Sequence, residues 1–232
     1  MKILIIKTIF VKNESFIEVN NESIKSFINY IDKNKQYNIT MKLFGWINNI
    51  DNMFLEKLNV NYRLFDKNYG KMYLLNNIQN FINNYDTYDI ILYADHDIII
   101  TDMSILDDLN IFNELINNKK LAICSFNQYP NNRHSSIVYL NKITINNIKY
   151  YYNNNNVFVA SGCFIMKPYF VPYLDKIRSN IIYGDEDILI GRTINENNLI
   201  SLISSKSVFH PFDTDKEYEE WKKIEIYKLY DI

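Results

Sequence analysis

The chain is poor in the residues that usually punctuate a fold: its 232 residues include only five Gly, four Pro and two Cys. Turns must therefore rest on another residue that tolerates left-handed backbone, and the abundant Asn supplies it. The two cysteines, Cys124 and Cys163, form no CxxC, which argues against a disulfide framework or a zinc knuckle and fits structural thiols in a reducing compartment. An excess of one charge is missing too. Lys and Arg number 25 against 27 Asp and Glu, for a net charge of −2, and this balance does not suggest a nucleic-acid binder. No apolar run reaches the roughly 18 residues of a membrane-spanning helix. The first ten residues are apolar but broken by Lys7 and lack a small-residue cleavage site, so they read as a buried first strand. The expectation is a soluble, cytoplasmic protein. Asn, Ile, Lys and Tyr share A/T-rich codons, so much of the composition reports a low-GC microbe or a large DNA virus, in which case the compartment is the host cytoplasm.

What is present is enough for one good core: 47% of residues are hydrophobic and 15% aromatic, which excludes disorder, collagen and coiled coil. Residues 3–9 form a continuous Ile-rich run, the pattern of a strand covered on both faces. In residues 23–31, Ile24, Phe27, Ile28 and Ile31 fall on one helical stripe. The spacing then predicts a strand over 39–44, a short helix over 52–58 and a strand over 60–65. A helix opened by Gly70 follows, with Met72, Leu75, Ile78 and Ile82 inward, and then a strand over 89–93. Strand and helix alternate, so the first half reads as an α/β sheet with right-handed crossovers. Strands are expected over 121–125, 157–166 and 207–209, with a loop and hairpin insertion over 127–156. Helices are expected over 173–180, 187–197 and 215–230. No repeat or linker divides the chain, so the expectation is a single domain.

The most informative stretch is an apolar strand that stops abruptly at Asp95-His96-Asp97. Open α/β sheets bind ligands beyond the carboxyl ends of their strands. Alternate carboxylates on a turn there suit a hard divalent cation, Mg²⁺ or Mn²⁺, although an Asp-rich turn that only caps the next segment reads equally well. A second acidic cluster, Gly184-Asp185-Glu186-Asp187, begins a helix. One acid there would complement the helix dipole. Three in succession repel one another, so at least one should hold its proton more tightly, as a proton-abstracting group does. Between the clusters, Ala160, Ser161 and Gly162 are small enough to let a ligand approach the backbone, or to form a bulge. Gly70 and Lys71 at a helix start can meet phosphate. His210, after the last strand and before Pro211, can complete an Asp/Asp/His metal shell or serve packing alone.

The order of these motifs resembles GT-A glycosyltransferases, most closely the inverting family 2 group, over about residues 1–212. Val11-Lys12-Asn13-Glu14 is similar to the family's first-loop VKNE variant. Asn68, Gly70, Leu74 and Asn76 resemble its N-x-G-x-x-x-A-x-N segment, with Leu74 in place of the usual Ala, and Asp95-His96-Asp97 matches its D-x-D motif. Ser161-Gly162-Cys163-Phe164 looks like its acceptor-side strand, and Glu186-Asp187 followed by Arg192 resembles its E-D motif.

The resemblance implies a single Rossmann-like α/β domain with a mostly parallel central sheet flanked by helices. Residues 1–100 would be the nucleotide-sugar half, 101–212 the acceptor half and 213–232 a C-terminal helix. By the same likeness Thr8 and Glu14 line the nucleotide pocket and Gly70, Lys71 and Asn76 border it. Asp95 and Asp97 hold Mn²⁺ or Mg²⁺, and His96, Ser161, Gly162 and Arg192 join the binding residues. Asp187 is the base, with Glu186 beside it. The implied activity is transfer of a sugar, with inversion, from a UDP-linked donor to a hydroxyl of a glycan or other acceptor. Two alternatives stand beside it: nucleotidyl transfer to a sugar phosphate, disfavoured because residues 8–15 contain no Gly, and a non-catalytic nucleotide- or carbohydrate-binding protein.

Overall fold

A computed structural model of the chain describes residues 1–101, 111–112, 114–116, 118–129, 141–152, 159–177, 186–211 and 220. In chain order the elements are β1 (Lys2–Val11), α1 (Ser15–Lys33), β2 (Asn38–Ile47), α2 (Met53–Glu56), β3 (Tyr62–Leu64), α3 (Gly70–Asn76), α4 (Ile78–Phe81) and β4 (Ile90–Ala94). They continue with β5 (Leu115–Ile116), β6 (Lys119–Tyr129), β7 (Asn141–Ile145), β8 (Ile148–Tyr152), β9 (Cys163–Met166), α5 (Val171–Leu174), α6 (Glu186–Glu196) and β10 (Leu199–Phe209). The strands form one sheet in the order β3-β2-β1-β4-β9-β6-β10-β8-β7, with β5 added to β6.

Strands β3, β2, β1 and β4 are mutually parallel, as the alternation of strand and helix predicts. Strand β9 then runs antiparallel to both of its neighbours, β4 and β6. Two reversals restore direction, so β6 and β10 point the same way as β1 and β4. The carboxyl ends of β1, β2, β4, β6 and β10 therefore share one edge with the amino end of β9. Both faces are covered. Ile3, Ile5, Ile90 and Leu92 pack with Ile24, Phe27 and Tyr30 of α1 on one side. Leu4, Ile6, Ile91 and Tyr93 pack with Met72 and Leu75 of α3 and Ile190 and Ile194 of α6 on the other. Burial on two faces explains the unbroken Ile run of β1, in which each side chain contributes about 1.5–3 kcal/mol.

Several elements depart from the expected bounds for identifiable reasons. Helix α1 begins at Ser15 rather than 23, started by Asn13, whose Oδ1 accepts from the Ser15 backbone at 3.1 Å. Its early turns present Asn20 and Ser23 inward, and these polar residues hide the apolar period. Asn20 bonds the backbone of Phe10 in both directions, and Ser23 donates to the Ile98 carbonyl. The helix expected from Gly70 onward is split at Asn77, whose backbone leaves the helical region, although Met72, Leu75, Ile78 and Ile82 are all buried as expected. Strand β10 starts at Leu199 instead of 207, because its serines blur the pattern and an irregularity interrupts its pairing with β6 between Ser204 and Ser207. Of the strand expected over 157–166, the described residues 159–166 are strand only at Cys163–Met166.

The insertion over 127–156 contains the expected hairpin, β7 with β8, turned by Asn146 and Asn147 at φ 50° and 64°. Among the described residues every non-glycine position with positive φ is an asparagine, so Asn does take the role that scarce Gly leaves open. The helix expected over 173–180 is replaced by α5, which ends at Leu174, with 175–177 outside any helix and 178–180 outside the described residues. Of the helix expected over 215–230 only Glu220 is described, and it is helical, while Gly184 and Asp185 lie outside the described residues. No helix among the described residues is long and apolar enough to cross a membrane.

Gly45 of β2 lies opposite Ile9 of β1, where a Cβ would run into the Ile9 backbone. At Gly162 a Cβ would meet only the end of the Gln128 side chain. Gly45→Ala should therefore destabilise the chain by about 2–3 kcal/mol, and Gly162→Ala by clearly less, because a side chain yields where backbone does not. Urea denaturation of the two variants checks the order.

Candidate active site at the carboxyl edge of the sheet

The turn after β4 is held from four directions. The Asp95 N–H donates to the Gly162 carbonyl at 2.8 Å, just before β9, and the Asp95 carbonyl accepts from Ile98 N–H at 3.2 Å and from the Lys7 ammonium of β1. Ser23 of α1 donates to the Ile98 carbonyl. Ile99 and Phe209 of β10 exchange backbone hydrogen bonds of 2.9 and 3.0 Å. The Asp95-His96-Asp97 backbone is thus fixed by β1, α1, β9 and β10 together.

The side chains of this turn point to different partners. Asp95 Oδ2 lies 2.7 Å from Lys71 Nζ, and Asp95 Oδ1 accepts from the Tyr93 hydroxyl at 2.8 Å. Asp97, buried, has Oδ2 2.9 Å from His210 Nε2. His96 is buried against the rings of Phe10 and Phe16, which also touch each other. The three-ligand set of Asp95, Asp97 and His210 is not assembled, and among the described residues no three His, Cys, Asp or Glu side chains converge as a metal site. The Asp97–His210 pair nevertheless has a suitable donor set. Adjacent ligands of an octahedral ion with bonds of about 2.1 Å lie about 3.0 Å apart, and a carboxylate oxygen with an imidazole nitrogen suits a divalent cation.

Lys71 joins this turn to the second acidic cluster. Gly70, at φ 77° and with its N–H on Asn68 Oδ1 at 3.0 Å, turns the chain into α3 and presents Lys71 to the site. Besides Asp95, the ammonium reaches Glu186 Oε1 at 3.5 Å, Ser161 Oγ at 3.1 Å and Ser161 O at 3.4 Å. Ser161 donates its hydroxyl, and its N–H at 3.3 Å, to Asp187 Oδ1. Asp95, Lys71, Ser161, Glu186 and Asp187 therefore form one polar cluster, although the sequence separates its members by up to 116 residues (187 − 71).

Burial raises the proton affinity of Asp95 and Asp187, and the shared cation moderates it. For Asp187, burial is the largest influence, opposed by Lys71 and reinforced by Glu186, and its pKa is pushed up to about 6. The direction is the one expected of the acidic run, but its main cause is burial, with repulsion from Glu186 a smaller contribution. Burial also raises Asp95, against the pull of Lys71. For Lys71, burial works to lower the pKa, but Asp95, Glu186 and Asp187 together outweigh it and keep the ammonium charged.

Other expected site residues lie elsewhere or act structurally. Thr8 is half-buried within β1. Glu14 lines an open groove with Glu18, Asn21, Asn49 and Asp51 and makes no hydrogen bond or ion pair to the Lys71 cluster. Asn76 donates to the Ile177 carbonyl at 2.7 Å, tying α3 to the segment after α5. Arg192 is exposed on α6. Gly162 contributes its carbonyl to the Asp95 turn and the space that Gln128 fills.

Two participants escaped the sequence reading. Lys7, treated as a break in an apolar run, is fully buried, and its ammonium supports the Asp95 carbonyl and lies 5.3 Å from the Phe27 ring centre. Burial drives its pKa down to about 7 against the attraction of Asp97 and Asp95. The signal was available: a charge inside a strand covered on both faces requires a partner. Tyr93, read only as the end of a strand, is core in its ring and site in its hydroxyl.

No protein-family model and no curated protein sequence matches this chain. Solved structures do resemble it. Staphylococcus aureus TarS residues 1–349, in complex with UDP-GlcNAc, superposes with a TM-score of 0.55 at 14% identity, over 90% of this chain and 58% of that one. A longer TarS structure gives 0.57 at 13% identity, over 90% and 36%. A protein from Desulfovibrio desulfuricans G20 assigned to the nucleotide-diphospho-sugar transferases gives 0.51 at 8% identity, over 89% and 80%. The chain thus spans less than two thirds of the TarS structures. Strand order, the reversed β9 and these superpositions agree that the chain has a GT-A-type fold, a mixed α/β sheet flanked by helices.

Proposed function

We propose that the chain is a glycosyltransferase that moves a sugar from a nucleoside diphosphate, UDP, to an acceptor hydroxyl with inversion. The observation that carries this reading is the convergence of Asp95, Lys71, Glu186 and Asp187 at the carboxyl edge of a sheet of this fold. The TarS structure with UDP-GlcNAc supports the choice of donor class. Asp187 is the base: its carboxylate takes the acceptor's proton as that oxygen attacks the anomeric carbon on the face opposite the diphosphate. A pKa near 6 leaves it ionised at neutral pH yet basic enough to accept a proton. Lys71, kept charged by its carboxylate neighbours, offers positive charge toward the diphosphate as negative charge develops there. Asp95 orients Lys71, and Lys7 and Tyr93 hold Asp95. Asp97 and His210 would hold Mn²⁺ or Mg²⁺, an ion that when bound neutralises diphosphate charge.

The first test is Asp187→Asn, which should lower kcat by about 10²–10⁴-fold while UDP binding, measured by calorimetry, stays within about twofold. An equal loss of UDP affinity would contradict the role of base. Because Asp187 must be ionised to act, turnover of the wild-type protein should fall as pH drops through about 6 and level off above it, as a pH–rate profile would record. In thermal-shift measurements UDP with Mn²⁺ should raise the melting temperature more than UDP alone. Asp97→Ala and His210→Ala should each remove that manganese-dependent increment and leave the shift from UDP alone in place.

A further inference from the structure

Ser161 is only 1% exposed, so its hydroxyl is not available to a ligand, and its contacts lead to Asp187 instead. The direction of each hydrogen bond is determined by the chemistry. An ammonium can only donate, so Lys71 Nζ occupies an acceptor lone pair of Ser161 Oγ at 3.1 Å. The Ser161 hydroxyl proton is then directed to Asp187 Oδ1. The Ser161 backbone N–H reaches the same oxygen at 3.3 Å, and Val159 N–H donates to the Asp187 carbonyl at 3.2 Å. The segment before β9 thus holds both the main chain and one side-chain oxygen of Asp187. Its other oxygen, Oδ2, accepts no hydrogen bond among the described residues.

We infer that Ser161 is a positioning residue for the base: it fixes Asp187 Oδ1 and so leaves Oδ2 to take the acceptor's proton. This rests on the reading of Asp187 as base. The charged and titratable groups facing Asp187 are Lys71 from α3, Glu186 from its own helix and Asp95 from the turn after β4. Ser161 lies between Lys71 and Asp187, so one small hydroxyl links the donor-side cation to the acceptor-side base. A hydrogen bond to the ionised carboxylate favours that form, so its loss should raise the proton affinity of Asp187.

The test uses the full chain with Ser161→Ala and, as the conservative rescue, Ser161→Thr. Ser161→Ala should lower kcat about 10- to 100-fold with donor KM within about twofold, and should move the acid limb of the pH–rate profile up by about one pH unit. Ser161→Thr should return both toward the wild-type values. Carbon-13 NMR of Asp-labelled protein, with Asp187→Asn identifying the resonance, reads the same carboxyl without turnover and should show the same upward displacement in Ser161→Ala. An Asp187 carboxyl that titrates at the same pH with and without the Ser161 hydroxyl overturns the inference. A wild-type protein that neither transfers sugar nor hydrolyses any sugar nucleotide overturns the glycosyltransferase reading instead, while the NMR titration still decides whether Ser161 holds Asp187.

Discussion

The Lys71 ammonium is the interaction on which the site depends. Asp95, Glu186 and Asp187 are gathered around it, and burial together with neighbouring like charge raises the proton affinity of Asp95 and Asp187. A single cation with three donors, in contact with Asp95 and Glu186 directly and with Asp187 through Ser161, lets these acids share one site. Without it, burial would drive protonation or separation of the carboxyl groups. The position of Lys71 is in turn set by a backbone requirement. Gly70 adopts a positive φ between the Asn68 side chain and the first turn of α3, which directs the next side chain over the sheet edge.

The sheet supplies the second constraint. Because β9 runs against β4 and β6, the residues that precede it arrive at the edge where β4 ends. Ser161 and Gly162 therefore meet the Asp95 turn, one through the Lys71–Asp187 contacts and the other through its carbonyl. A wholly parallel sheet would have sent this segment to the opposite edge. The reversal thus allows α3, the turn after β4 and α6 to share hydrogen bonds through the segment before β9.

Much of this was legible in residue order. The Ile run of β1, the period of α3 and the abrupt end of β4 at Asp95 each carry a local signal, because burial on two faces, burial on one stripe and the end of an apolar run leave distinct patterns. Asparagine as the turn residue follows from the shortage of glycine. Less legible were elements whose inward residues are polar. Asn20 and Ser23 face the core because they bond the backbone of β1 and of the turn after β4, and the Ser23 partner is distant in sequence. The serines of β10 obscured its length for a similar reason: strand pairing satisfies the backbone whatever the side-chain pattern.

By itself the sequence determined the α/β class, the parallel first half, the acidic turn after β4 and the acidic start of α6, since each leaves a signal in the local order of residues. Only the tertiary structure decided how those acids divide their partners. Asp95 turns to Lys71 and Tyr93, Asp97 turns to His210, and Lys7 becomes a buried support in place of a break in a strand. These choices arise from the meeting of β1, β4, α3, β9, α6 and β10 at one edge. Burial there makes an unpartnered charge costly, so each charge takes the partner that the fold brings within reach.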